Sequence, residues 1–319
     1  LSKGHPSNQP LETQGTNPNY TKRKPIGKAL KETFTGYFFM GPAIFVIGIF
    51  ILIPIFYAIF LSFNKVELLG GTSYQFTGLD NFLRMEVDSR ALISLKNTAE
   101  YVAIVVPIQT FLALILAAVL NSDIKGKNLF RIIFFLPTVT SSAVLTLIFM
   151  WMYNPDGLIN HVLAFVNLPT YNWLADPAIA LKSIMIMNIW ATAPFFMIIY
   201  LAAMQDISDS IYEAATIDGA NWWQKFFKIT IPMLKPVTFF VVVMSVIGTF
   251  QLFDQSYIFS GGSGGPNNST LTIVLLIYQY AFKLLDMGYA SALAVVLAII
   301  ILVVTLIQRK FFAEEKLHD

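Results

Sequence analysis

The chain has 319 residues, of which 56% are hydrophobic and 13% charged, with a formal net charge of +2 and a mean hydropathy of +0.64. A water-facing globule needs far more charge, so the composition points to a membrane protein, and the small net charge argues against a nucleic-acid partner. The absence of cysteine excludes disulfides, thiolate metal sites and cysteine nucleophiles, and three scattered histidines (His5, His161, His318) offer no metal centre.

Leu1 to Tyr20 is rich in Asn, Pro, Gly and Thr and is expected to be disordered. No short apolar core with a small-residue cleavage site stands in the first thirty or so residues, so a signal peptide is not expected. Lys24 to Thr35 mixes basic and apolar residues and reads either as a short helix on the inner leaflet or as a topogenic tail. Six apolar stretches then reach the about 20 residues that cross a bilayer as a helix. They are Tyr37 to Phe63, Leu95 to Leu120, Ile132 to Tyr153, Ile179 to Met204, Val237 to Tyr257, and Tyr289 to Gln308. Leu271 to Phe282 is apolar but too short to span and reads as a re-entrant or interfacial helix. Gly261 to Asn268 reads as a flexible external loop. The prediction is an all-α, polytopic membrane protein: a tail over 1–36, a six-helix domain over 37–308 and a second tail over 309–319.

Lys and Arg set the direction of the crossings. They gather in the N-terminal tail, at Lys125, Lys127 and Arg131, at Lys225, Lys228 and Lys235, and at Arg309, Lys310 and Lys316. Both termini and the connection over 205–236 are therefore expected in the cytoplasm.

The chain carries no phosphate-cradling loop of its own. Gly27-Lys28 and Gly126-Lys127 lack both the upstream glycine and the downstream Ser or Thr that such a loop requires, so ATP hydrolysis is not expected of this chain. The spans are almost free of ionisable residues, Asp254 late in the fifth being the main exception, whereas ion-coupled carriers usually bury several.

The connection after the fourth crossing carries Glu213-Ala214-Ala215, then Asp218-Gly219, then Ile229 and Pro232. Glu213, Ala214 and Ala215 form one helix turn with a flat, small face, Gly219 permits a bend, and Ile229 and Pro232 restart the apolar run. This pattern resembles the cytoplasmic EAA loop of ABC importer membrane subunits. Phe76 to Phe82, Ser94 to Thr98, Phe130-Arg131 with Phe135-Leu136-Pro137, Asn154 to Gly157, Gly264-Gly265-Pro266 and Gly288 to Ala292 are similar to the sugar-type branch. The likeness covers roughly Tyr37 to Gln308 and is strongest to the larger maltose-transporter and the glycerol-phosphate membrane subunits. It implies a type I importer in the bacterial cytoplasmic membrane: a second homologous membrane subunit, two ATP-binding subunits and an external solute-binding protein. It implies that the ATPase grips Glu213, Ala214, Ala215, Asp218 and Gly219 and that the solute is a carbohydrate.

Two polar stripes lie on helix faces. Asn188, Thr192 and Phe195 share one face of the fourth span, beside Trp190 and Ala191, and Pro194 is placed to open that helix locally. Ser245, Gly248, Thr249 and Leu252 share one face of the fifth. A neutral sugar needs hydrogen-bonding groups for its hydroxyls and flat apolar surface for its ring, and these stripes offer both. Small and polar residues at this spacing also serve helix packing alone. The resemblance implies solute contact at Asn188, Ala191, Thr192, Phe195, Ser245, Gly248 and Thr249, with Gln251 and Asp254 near the outer end. Ala191, Thr192, Phe195 and Thr249 depart from the maltose-type residues, which argues against maltose itself. An autonomous secondary carrier or channel for a small polar solute, and a scaffold without a solute path, are the competing readings.

Overall fold

The computed structural model describes residues 26–67, 71–122 and 125–314. The disorder expected over Leu1 to Tyr20 lies outside the described residues, as does the end of the C-terminal tail. The chain forms two compact units, one ending at Ile55 and one from Phe56 onward.

Helix α1 (Ile26–Ile47) runs into α2 (Ile53–Ser62) through a π-helical turn at Gly48–Leu52. Pro54 has no N–H to give, and the wider turn absorbs the mismatch, with the Ile53 N–H donating back to the Gly48 carbonyl. The Lys24 to Thr35 segment is helical from Ile26 and joins the span without a break. The apolar helix runs Thr35–Ser62 and exposes large side chains such as Phe39, Phe45 and Phe50, which costs nothing in hydrocarbon.

After α2 comes a departure from the all-helical expectation. Strands β1 (Asn64–Glu67) and β2 (Ser73–Phe76) pair antiparallel, with Asn64 opposite Phe76. The short α3 (Asp80–Val87) follows, and Asp88 then caps α4 (Ser89–Asn121) by accepting from the Arg90 N–H. The second crossing thus starts at Ser89 rather than Leu95.

The third crossing is the main correction. Ile132 to Tyr153 is not one helix: α5 (Lys127–Val139) and α6 (Ser142–Met152) meet at a 100° bend. The cause is local. Pro137 removes one backbone donor, and the Thr140 side chain donates to the Leu136 carbonyl at 3.0 Å while its N–H turns to Pro137 at 3.2 Å. The helical ladder has lost its continuation, and Ser141 restarts the helix in a new direction.

Beyond α7 (Leu158–Phe165) come α8 (Ala180–Gln205) and a hairpin of α9 (Asp209–Ile217), α10 (Trp222–Lys225), a π-helical turn at Phe226–Thr230 and α11 (Ile231–Met233). The fifth crossing, Lys235–Phe259, contains α12 (Lys235–Phe250) and α13 (Asp254–Phe259). A shorter apolar helix, Ile273–Lys283, opens with α14 (Ile273–Tyr278) and precedes α15 (Met287–Glu314). Among the described residues five helices are long and apolar enough to cross a membrane, or six where the bent pair is counted as one broken span.

The core is built around α4 and α8. Tyr101 and Val105 share one buried cluster with Ile184, Met187 and Ala191, whereas Ala113, Ala117 and Leu120 share another with Ala193, Tyr200 and Met204. The order along both helices is the same, so they run parallel, and fully buried Ala113 and Ala117 let them approach closely. Polar side chains, buried at Asn97 and half-buried at Asn81, tie the connections to this core. Asn97 donates to the carbonyls of Asn268 (2.8 Å) and Leu271 (3.0 Å), and Asn81 donates to those of Ser62 (3.0 Å) and Asn64 (3.1 Å). The Gly261 to Asn268 loop, expected to be flexible, is held by Asn97, by Gln279 donating to Gly262 (2.8 Å) and by Thr270 donating to Gly265 (2.9 Å).

Candidate functional site

The two polar stripes converge. Asn188, buried on α8, lines three cavities of about 280, 150 and 240 Å³. In the largest it stands with Ala191, Thr192 and Phe195 opposite Thr138, Thr140 and Ser142. The second lies between α4, α8 and α12 and is bordered by Ser245, Gly248 and Thr249. The third is bordered by Gln251 and Asp254. Trp190 lines none of these three cavities and lies against Phe149, ring centroids 5.4 Å apart.

The bent third crossing supplies what the sequence reading missed. Its corner delivers Thr138, Thr140 and Ser142 to the largest cavity, and Gln255 donates from α13 to the Ser142 hydroxyl at 3.1 Å. Pro137 with its run of Thr and Ser was the available signal. Pro194, by contrast, sits buried in α8 without breaking it. Thr192 donates to Gln109 Oε1 at 2.6 Å and is also 2.8 Å from the Asn188 carbonyl, while Thr249 donates to the Ser245 carbonyl at 2.7 Å. None of the residues lining the cavities of about 280 and 150 Å³ is Lys, Arg, His, Asp or Glu.

The hairpin after α8 is a second built feature. Glu213, Ala214, Asp218 and Gly219 are exposed and Ala215 is half-buried. Gly219 adopts φ +79°, and the N–H groups of Gly219 and Ala220 donate to Thr216 and Ala215, closing α9 with a left-handed cap. Asn221 then opens α10 with a capping box, exchanging hydrogen bonds with Gln224 at 2.9 and 2.8 Å. The arms are joined by Tyr212 and Thr230, whose oxygens lie 2.9 Å apart, and by Lys225 donating to Thr216 at 3.0 Å. Ile229 is half-buried and Pro232 exposed on the returning arm.

At the other end of α4, Asp88 accepts from the hydroxyls of Tyr280 (2.8 Å) and Tyr289 (2.9 Å), and Arg84 pairs with Asp286 at 2.6 Å. Burial pushes the Asp88 carboxyl up, but the bonds from Tyr280, Tyr289 and two backbone N–H groups outweigh it and hold the group below the usual carboxylate range. Burial lowers Arg84, and its ion pair with Asp286 more than offsets that, leaving it raised.

Comparison with known proteins agrees with this architecture. The chain is 40% identical over 277 residues to the lactose transport system permease protein LacF of Rhizobium radiobacter, covering 86% of this chain and 92% of that protein. It is 31% identical over 281 residues to the trehalose/maltose transport system permease protein MalF of Thermococcus litoralis, covering 88% and 94%. Its fold matches a chain of a bacterial alginate ABC transporter, crystallised in complex with an alginate pentasaccharide-bound periplasmic protein, with a TM-score of 0.74 at 22% identity over 88% of this chain and 94% of that one. Residues 109–313 match the family of binding-protein-dependent transport system inner membrane components, and the chain belongs to that family.

Proposed function

We propose that the chain is the membrane-spanning permease subunit of an ATP-driven importer and forms half of a translocation path for a carbohydrate. It sits in a bacterial cytoplasmic membrane with both termini inside and pairs with a second homologous membrane subunit. A solute-binding protein delivers the sugar from outside. Two ATP-binding subunits, which carry ATP and Mg2+, grip the hairpin at Glu213, Ala214, Ala215, Asp218 and Gly219, while Ile229 and Pro232 anchor its returning arm.

The observation that carries the solute class is the lining of the path. Asn188, Thr192, Ser245 and Thr249 present amide and hydroxyl groups beside the Phe195 and Phe196 rings, with no charged side chain lining the cavities of about 280 and 150 Å³. Sugar hydroxyls need such partners, and ring faces need the flat apolar surface. Relatives named for lactose and for trehalose/maltose support the same class. Ala191 and Gly248 leave room in the wall, and Gln251 and Asp254 border the cavity of about 240 Å³.

The test is reconstitution. The purified chain alone, placed in vesicles under an ion gradient, is expected to move no sugar. With its partner subunits, binding protein and ATP it is expected to accumulate a neutral oligosaccharide. Asn188→Ala, Thr192→Leu and Ser245→Ala are expected to lower the rate or alter the range of sugars carried. Gradient-driven flux through the chain alone would overturn the importer reading, and unchanged rate and range in all three variants would reduce the stripes to helix packing.

A further inference from the structure

The second crossing carries no residue singled out by the polar stripes, yet it forms a wall of the cavity of about 150 Å³. Tyr101 and Gln109 of α4 line it together with Asn188, Thr192, Ser245 and Thr249. Tyr101 is wholly buried and Ser245 is 2% exposed, and among the described residues neither side-chain oxygen has a hydrogen-bond partner. Their neighbours are satisfied within the protein: Thr249 donates to the Ser245 carbonyl, and Thr192 donates to Gln109. A buried hydroxyl left unpaired costs roughly 1–3 kcal/mol, so two in one small chamber require a reason. A hydroxyl both donates and accepts, which is the bonding capacity of a sugar hydroxyl. Met244, Leu252 and Phe196 supply apolar surface for a ring face. No carboxylate or cationic side chain lines the chamber, and an anionic sugar would bury its charge there without a counterion.

We propose that the second crossing is a third wall of the solute path and selects an uncharged, hydroxyl-rich sugar ring there, Tyr101 bonding it through its free hydroxyl and Gln109 positioning Thr192 toward it. This rests on the carbohydrate-import reading above. It separates the chain from systems that carry acidic sugars, whatever fold they share.

A thiol placed in the wall tests it. Gly248 lines the chamber, a Cβ built on it meets nothing within 4 Å, and the chain has no other cysteine. In the assembled transporter with cysteine-free partners, the labelling rate of Gly248→Cys is measured against lactose, maltose, trehalose, digalacturonate and glycerol 3-phosphate. ATP-driven uptake of each is measured alongside. A neutral disaccharide is expected to protect the thiol and the two anions to leave it reactive. Tyr101→Phe is expected to raise the half-protecting concentration roughly 2- to 10-fold, the loss of one hydrogen bond, and Gln109→Leu to do the same. Tyr101→Phe removes only an unpartnered oxygen and keeps the fold, so it carries the test if Gln109→Leu fails to assemble. Uptake with no protection, equal protection in wild type and Tyr101→Phe, or preferential protection by an anion overturns the chamber while sugar import stands. Neither uptake nor protection with any probe overturns the carbohydrate reading as well.

Discussion

The Tyr212 hydroxyl lies 2.9 Å from Oγ1 of Thr230, and this pair clasps the outgoing and returning arms of the hairpin after α8. As the coupling element proposed above, the hairpin transmits force only if its arms do not hinge. Tyr212→Phe removes one neutral hydrogen bond, worth about 1 kcal/mol, and leaves the ring packing in place. The variant is expected to assemble normally but to import less sugar per ATP hydrolysed. The ratio of uptake to phosphate release in proteoliposomes measures this, and an unchanged ratio would show that the clasp carries no load.

Gly219 sits at the turn of the same hairpin. Its φ of +79° is disfavoured for any residue with a side chain, although a Cβ there meets nothing within 4 Å. Gly219→Ala is expected to cost about 1 kcal/mol of local stability and little else. Gly219→Glu adds bulk and charge on the exposed face beside Asp218. The chain is then expected to remain in the membrane while ATP hydrolysis no longer drives uptake. Normal transport by Gly219→Glu would show that the face is not gripped.

Gly288 is required for a different reason, a close approach. A Cβ there would lie 2.1 Å from the Asn64 carbonyl oxygen, a backbone atom that Asn81 also holds. Gly288→Ala is expected to destabilise the fold by about 1–3 kcal/mol, the usual cost of overpacking. Gly248→Ala, in the open, is expected to be neutral or stabilising by up to about 1 kcal/mol. Thermal unfolding in detergent distinguishes the two, and equal melting temperatures would contradict the packing of the first connection against α15.

The Asp88 network sets an acid limit. Its carboxyl titrates below the ordinary value of about 3.9, so the folded state binds its proton less readily than the unfolded state does. The stabilisation is therefore fully present above pH 4 or so and is lost as pH falls through the folded-state value. Asp88→Asn is expected to melt lower than wild type at pH 7 and to show a flatter decline in acid. Parallel melting curves from pH 7 to pH 3 would remove Asp88 from the network.

The crossings were legible because hydropathy averaged over a span survives errors of a few residues at its ends. The same averaging hid the 100° corner, since Ile132 to Tyr153 is apolar on both sides of it. Only Pro137 and the hydroxyls at Thr138, Thr140, Ser141 and Ser142 betrayed it, and hydroxyls in a span serve packing just as often. Asn188 and Ser245 could be found because each has companions at helical spacing. Tyr101 and Gln109 stand eight positions apart in a long apolar helix, and nothing in α4 alone reveals that α8 and α12 draw a chamber against them. The Asn64–Glu67 and Ser73–Phe76 hairpin was hidden by strands of four residues each, too short for alternation to register.

Splitting the third crossing leaves two short rods with different neighbours. α5 lies on α8, at whose end the hairpin begins, and α6 lies on α13. In the importer proposed above, a push arriving from the cytoplasm would move α5 with α8 while α6 stays with α13. A path walled by such a jointed strut can narrow at one end without narrowing at the other, which is the geometric condition for opening to one side of the membrane at a time.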